Sequence, residues 1–286
     1  MHEEKALKYV FFTGATGGLG AACVKLLSSR GWTVFAAGTN KEKLKTAGEI
    51  PNVIPVYVDI TDTDSILAAS DTVLRHADHL DAIVNFAGVT SFDSLVEGDP
   101  VPTAERLLSV NVMGTVRVNA IFFDLIERGR GRIVNCSSSA GWMTAQPFTG
   151  AYVMSKRAVE GYNDSLRREL MYLDIPVIKI QPGSFRTALT NDISDGYDRV
   201  FSETKRYRRV LETMKPLMDS TLNHSGNPDA VAKIVVRALE DKHPKQKYRI
   251  GSGFLLTLLE LLPETWVDAV YKLLVKKKTQ EEYPQN

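Results

Sequence analysis

At 286 residues the chain is long enough for one large α/β domain or two small ones, and 44% hydrophobic residues can fill a sizeable core. Its 35 Lys+Arg against 34 Asp+Glu give no electrostatic case for nucleic acid. Cys23 and Cys136 lie far apart and outside any metal-type cluster, so no metal site is expected and both read as packed thiols of a reducing compartment. The charged start Met-His-Glu-Glu-Lys does not read as a signal peptide, and no apolar run approaches the ~20 residues of a membrane span. A cytoplasmic protein is expected.

Tyr9-Val10-Phe11-Phe12 is short, apolar and β-prone, and Thr13-Gly14-Ala15-Thr16-Gly17-Gly18-Leu19-Gly20 follows at once, before the helix-compatible stretch from Ala21 to Ser29. Strand, glycine turn and helix in that order form the context of a dinucleotide loop: glycines let a pyrophosphate approach the backbone, and the helix start offers free N–H groups. Further strands are predicted at Thr33–Ala37, Val53–Val58, Ala82–Asn85, Arg132–Cys136 and Val177–Ile180. Helices are predicted at Leu19–Ser29, Asp62–His76, Thr103–Arg128 and Tyr152–Tyr172. The strands are near-continuous apolar runs, as a parallel sheet covered on both faces requires.

After Gly183 the character changes. Residues 184–226 are polar with charges of both signs and read as a helical, mobile flap; Pro228–Glu240 reads as a helix and Lys247–Ile250 as a last strand. With no linker, repeat or low-complexity tract, residues 1–286 read as one domain. The segment 253–276 is strongly apolar and ends in Lys276-Lys277-Lys278. It could wall a pocket opposite the polar flap, pack as an amphipathic helix on its own sheet or a neighbouring subunit, or touch a membrane surface; the lysine run alone reads as solvated.

The chemistry gathers at strand ends. Asn85-Phe86-Ala87-Gly88 follows the fourth strand, Ser137-Ser138-Ser139-Ala140-Gly141 the fifth and Pro182-Gly183-Ser184-Phe185-Arg186-Thr187 the sixth, while Asn111 lies inside the long helix. Ligands of open α/β sheets bind outside the carboxyl ends of the strands, so these strings converge on one crevice. Tyr152 and Lys156, four residues apart, project from one helix face. A phenol beside an ammonium group is a candidate general acid/base, because the positive charge favours the phenolate.

In these motifs the sequence resembles the short-chain dehydrogenase/reductase family, in its compact branch, over roughly residues 8 to 188. Thr13-Gly14-x-x-x-Gly18-x-Gly20 is similar to the family's cofactor loop, although it also fits the Thr-Gly-x-x-Gly-x-x-Gly pattern of the extended branch. Asn85 to Gly88 resembles its Asn-Asn-Ala-Gly string, with Phe86 in the second Asn's place. The resemblance implies a Rossmann-like doubly wound fold, NAD or NADP as cofactor, and a homodimer or homotetramer. It implies cofactor contacts from Gly14, Thr16, Gly18, Leu19, Gly20, Thr39, Asp59, Ile60, Asn85, Ala87, Gly88, Pro182, Gly183 and Thr187, besides Tyr152 and Lys156. It also implies a tetrad. Tyr152 would exchange the proton with the substrate oxygen; Lys156 would support it and hold the nicotinamide ribose. Ser138 would polarise the substrate oxygen, and Asn111 would hold a water linking Lys156 to solvent. Ser138 fits the string ending at Gly141, whereas Ser139 fits the family's usual thirteen-residue spacing to Tyr152.

The second strand ends in Gly38-Thr39-Asn40-Lys41 with no carboxylate before Glu42, so NADP is favoured over NAD, with Thr39, Asn40 and Lys41 free to meet a 2′-phosphate. Asp59 would meet the adenine amine or begin the next helix. The apolar C-terminus is similar to that of the retinol and hydroxysteroid dehydrogenase group. The expected activity is therefore interconversion of a secondary alcohol and a ketone on a bulky apolar, steroid- or retinoid-like substrate. A reductase of small aliphatic or polyketide-like carbonyls is the alternative enzyme, and a non-catalytic cofactor-sensing regulator the alternative of another class.

Overall fold

A computed structural model describes residues 7–223, 225–253, 257–258 and 260–282. Seven strands form one parallel sheet: β1 (Lys8–Thr13), β2 (Trp32–Gly38), β3 (Val53–Tyr57), β4 (Ala82–Asn85), β5 (Arg132–Cys136), β6 (Val177–Pro182) and β7 (Lys247–Ile250), in the order β3-β2-β1-β4-β5-β6-β7. The order reverses between β1 and β4, which opens a crevice at their carboxyl ends.

Period-two alternation sends neighbouring residues of each strand to opposite faces. Val10 and Phe12 face one core with Cys23, Val24 and Leu27 of α1 (Gly18–Ser29) and Val231 and Val235 of α10 (Pro228–Glu240). Phe11 and Phe35 face the other, with Ile66 and Val73 of α3 (Thr63–Leu74), Val118 of α5 (Thr115–Ile121) and Leu170 of α7 (Gly150–Leu170). The predicted Rossmann-like doubly wound sheet is what forms.

Three findings change or add to these expectations. The helix predicted over Thr103–Arg128 is four pieces: α4 (Val101–Leu107), a π-helical segment Leu108–Gly114, α5, and α6 (Phe123–Gly129), bent by 54° at Phe122. The Phe122 ring at the break is wholly buried and stacks on Phe11 at 4.1 Å between centroids. In the π segment the widened turn holds Asn111, whose side chain clamps Val89; a Cβ on Gly114 would lie 2.5 Å from Ile60 Cδ1. The second finding is α2 (Lys41–Ala47), which the sequence reading left out because only Leu44 of its seven residues is buried.

The third concerns the flap. Residues 184–226 leave the sheet and return to it through a parallel bridge between Phe185 and Gly226. They carry α8 (Ala188–Glu203) and α9 (Arg208–Asn223). The flap's apolar partner is the segment after β4, where Phe92 packs with Tyr197, Val200 and Leu211 and with Phe148. The C-terminal helix (Glu264–Glu282) also packs on α9, but it is not amphipathic in the expected sense. Val267 is buried while Trp266, Val270 and Leu273 are exposed, so it is apolar on both sides. Phe254, Leu255, Leu256 and Leu259, the side chains of Lys276–Lys278 and the N-terminal Met-His-Glu-Glu-Lys lie outside the described residues. Among the described residues no single helix is long and apolar enough to cross a membrane.

Candidate active site

The glycine turn is packed backbone on backbone. Gly14 sits at φ +71°, and a Cβ there would fall 2.5 Å from Ala87 N. Gly20 has no more room, since its Cβ would meet the Gly14 carbonyl oxygen at 2.1 Å. Phe86 N and Ala87 N complete the join, donating to the Thr13 carbonyl at 3.1 Å and to Thr13 Oγ1 at 3.3 Å. Helix α1 starts from Gly17 with no side-chain cap and no acid in its first turn. Its first N–H groups, which have no partner within the helix, therefore remain available to an anion.

Other predicted contacts surround that turn. Thr187 lies over Gly18, where a Cβ would meet its methyl at 2.9 Å, and Thr16 Oγ1 lies 3.1 Å from where a Gly38 Cβ would be. Leu19, in the first turn of α1, packs against the core, and Thr39 is exposed just after β2. Pro182 ends β6, and Gly183 N donates to the Ile250 carbonyl at 2.7 Å. Uncapped helix start, glycine turn and Thr187 thus border a space that fits the pyrophosphate of a dinucleotide; Gly14, Thr16, Gly18, Leu19, Gly20 and Thr187 would hold it.

Some side chains are committed elsewhere. Asn85 points into the core, donating to Asn119 Oδ1 at 2.7 Å and Asn135 Oδ1 at 2.9 Å, so only its neighbours' backbone borders the crevice. Asn135 in turn donates to Asn163 at 3.0 Å, giving a buried asparagine ladder under the site. Asn40 caps α2 by accepting from Lys43 N at 2.9 Å, and Lys41 Nζ lies over the Tyr57 ring at 5.5 Å. Asp59 Oδ1 accepts from Thr61 N at 2.9 Å and Thr61 Oγ1 at 2.7 Å, while the cap of α3 is Asp62; Ile60 is buried against Gly114.

The four tetrad candidates converge from three elements. Lys156 is buried, its Nζ 5.7 Å from the centroid of the half-buried Tyr152 ring and donating to the Cys136 carbonyl at 3.1 Å. Gly88 lies over that ammonium group, where a Cβ would come 3.7 Å from Lys156 Nζ and 3.1 Å from Asn111 Oδ1. Asn111 accepts from Val89 N at 2.8 Å and donates to the Val89 carbonyl and to Ser155 Oγ, both at 2.9 Å. Ser138 is buried in extended conformation and accepts from Ala140 N at 3.2 Å, which leaves its O–H proton to donate. Ser139 enters the 3-10 turn Ser139–Gly141, and Ser137 Oγ lies beneath Gly141. Burial pushes the Cys136 thiol up, against a smaller opposing effect of the Lys156 charge.

Sequence reasoning missed the walls. Leu95 packs against Gly150, at the start of the helix carrying Tyr152, and Asp93 N donates to the Phe148 carbonyl at 2.7 Å. Between residues 90–106 and 192–204 opens a cavity of about 680 Å³ bordered by Asp93, Glu97, Asp192, Asp195 and Arg199. At the other end of the 142–149 loop, Glu260 Oε1 accepts from Thr144 N at 2.7 Å, so the C-terminal segment touches the stretch joining Ser138 to Tyr152. Pairings of this kind join distant parts of the chain and carry no local signal; the asparagine ladder left only a trace, in asparagines at the ends of two strands.

The comparisons agree with this geometry. The sequence model of the short chain dehydrogenase family matches residues 8–198. Rat "Retinol dehydrogenase 7" is 33% identical over 281 residues, covering 92% of this chain and 87% of the relative. Human "17-beta-hydroxysteroid dehydrogenase type 6" is 32% identical over 279 residues with the same coverage. An alcohol dehydrogenase from the archaeon Thermococcus sibiricus, solved with 5-hydroxy-NADP, superposes with a TM-score of 0.70 at 20% identity, covering 86% of this chain and 96% of that one. With the family model spanning well over half of the sequence, the chain belongs to the short-chain dehydrogenase family and is an NAD(P)-dependent alcohol dehydrogenase/ketone reductase of that type.

Proposed function

We propose that this chain interconverts a secondary alcohol and a ketone on a bulky apolar, steroid- or retinoid-like substrate, with Tyr152 as the proton-exchanging group. The observation that carries the catalytic reading is the buried Lys156 ammonium group set beside the Tyr152 ring and beneath Gly88. The nicotinamide cofactor, when bound, supplies or accepts the hydride. Tyr152 gives its proton to the carbonyl oxygen or takes one from the alcohol, with the Lys156 ammonium group set beside its ring. Ser138 donates its hydroxyl proton to the same substrate oxygen, an interaction that strengthens as charge develops there. Asn111 holds Val89, and so the backbone at Gly88, in place against Lys156.

Two observations support the apolar substrate: the names of the two relatives, and the contact of Glu260 with the 142–149 loop, which ties the leucine-rich C-terminal segment to the stretch between Ser138 and Tyr152. The polar cavity bordered by Asp93 and Asp195 favours the second reading, a reductase of small aliphatic or polyketide-like carbonyls, in its polyketide-like form. The absence of a carboxylate at Gly38-Thr39 supports NADP(H) binding at least as well as NAD(H). The exposed row Trp266, Val270 and Leu273 supports a surface contact of the C-terminal helix with lipid or with a second copy of the chain.

The test is cofactor oxidation against ketones graded from small aliphatics to steroids, with NADPH and NADH in parallel. Each buried methylene is worth ~0.8 kcal/mol, so kcat/KM should climb by orders of magnitude towards steroid size. A flat or falling series would establish the second reading instead.

A further inference from the structure

Helix α7 presents Tyr152, Lys156 and Glu160 at successive turns of one face. The first two have roles above; Glu160 has none. Its side chain is only 14% exposed, and its carboxylate accepts from Lys179 Nζ and from Gln181 Nε2, each at 2.8 Å, both on β6. Burial pushes the Lys179 ammonium group down, but its bonds to Asp164 and Glu160 outweigh this and the net shift is upward, so the charge opposite Glu160 persists.

From β6 the contacts run on to the serine turn. Gln181 is wholly buried, and its Oε1 accepts from Arg249 Nε of β7 at 3.2 Å. The Arg249 guanidinium group lies flat over Trp142, 3.6 Å from the ring centroid, and Trp142 closes the turn that Ser138 opens. On its inner side that turn rests on Glu160, because a Cβ on Gly141 would sit 2.9 Å from Glu160 Cγ. Glu160, Gln181, Arg249, Trp142 and Gly141 therefore form a closed circuit through the segment that bears Ser138. Ser137 Oγ and Trp142 Nε1 are buried with no hydrogen-bond partner among the described residues, so these atoms give the turn no anchor.

We propose that Glu160, acting through Gln181 and Arg249, is a positioning residue that fixes the Ser138 turn against the helix carrying Tyr152 and Lys156. The proposal rests on the catalytic reading of Ser138 and Tyr152 given above. Glu160 touches neither substrate nor cofactor; it sets the separation of two groups that must reach the same oxygen. A misplacement of about 1 Å in such a pair costs up to ~10²-fold in rate.

The experiment measures kcat and both KM values for Glu160→Ala, Glu160→Gln, Arg249→Met and the Glu160→Ala/Arg249→Met pair, with Tyr152→Phe alongside. Glu160→Ala should lower kcat about 10- to 100-fold while the cofactor KM stays within about twofold. Glu160→Gln keeps the packing under Gly141 and an acceptor for Gln181, and should recover most of kcat. Arg249→Met, on the edge strand β7, should lower kcat by about 3- to 10-fold, and the double variant should lose less than the product of the singles. An unchanged kcat in Arg249→Met and Glu160→Ala beside an inactive Tyr152→Phe overturns the positioning role alone. An active Tyr152→Phe overturns the catalytic reading and the proposal with it. If Glu160→Ala fails to fold, Arg249→Met and Glu160→Gln decide: equal kcat to wild type in the first overturns the proposal, and a loss in the first without one in the second supports it.

Discussion

The cofactor side and the substrate side of the crevice are assembled on different principles. On the cofactor side backbone lies on backbone: Gly14 against Phe86 and Ala87, Gly20 against the Gly14 carbonyl, Gly183 against Gly251. No atom can be added there without bending a strand. On the substrate side, side chains do the holding: Phe92 against Tyr197 and Phe148, Arg199 paired with Asp93, and Glu97 bonded to Thr204 and Arg206. The aromatic cluster is buried, but the Arg199 and Arg206 ion pairs lie at the surface, where single pairs contribute little and partners can be exchanged. The glycine turn is thus fixed by steric exclusion, and the flap by a small aromatic cluster edged with ion pairs that are individually weak.

Tyr152→Phe should give the largest effect, because it removes the transferable proton and leaves both sides intact. Turnover is expected to fall ~10²–10⁴-fold, with cofactor affinity by fluorescence titration unchanged. Phe92→Ala should break the substrate side. Truncating a buried phenylalanine costs about 3–5 kcal/mol at its site, which should release α8 to proteolysis and raise the substrate KM while the cofactor Kd holds. Gly14→Ala is the matching blow to the cofactor side: the left-handed conformation alone costs about 1–3 kcal/mol, and calorimetry should show a lower Tm together with lost cofactor binding.

Gly38→Asp sharpens the comparison rather than breaking it. The new side chain would point at Thr16, which must yield by a few tenths of an ångström, and its charge would repel a 2′-phosphate. Preference should move towards NADH by about tenfold, or ~1.4 kcal/mol, read from the ratio of kcat/KM values. The smallest effect concerns pH. The Thr204 hydroxyl, with Arg206 and the Lys205 N–H, holds the Glu97 carboxyl below its ordinary value against an opposing effect of burial second only to the Thr204 bond. A depressed value in the folded state means that the contribution is present above the usual ~4.3 and is lost as pH falls through the folded value. Protease sensitivity of residues 204–207 should therefore rise on acidification below about pH 4, and Glu97→Gln should remove that dependence.

The same contrast explains what could be read in advance. Strand β4 and β5 boundaries coincide with their predictions because continuous apolar runs flanked by polar residues leave few alternatives. The predicted helix over Thr103–Arg128 failed because its period hides a π segment, whose cause is the pairing of Asn111 with Val89 from another loop. Asn85 was expected to face the cofactor. Its side chain is held by Asn119 of α5 and by Asn135, which meets it only once β4 and β5 are in register. The flap's contact with Phe92 and Phe148 went unread for a similar reason: both are single aromatics in loops, with no periodicity to announce them.

By itself the sequence determined the order of strands and helices, the glycine turn, and the pairing of Tyr152 with Lys156, because each depends on residues close together in the chain. Tertiary structure alone decided that Lys156 rests under Gly88, that Thr187 lies over Gly18, that Glu260 reaches Thr144, and that Glu160 touches the Ser138 turn. Those contacts join residues brought together by strand order, and local spacing carries no information about which distant backbone will arrive beside it.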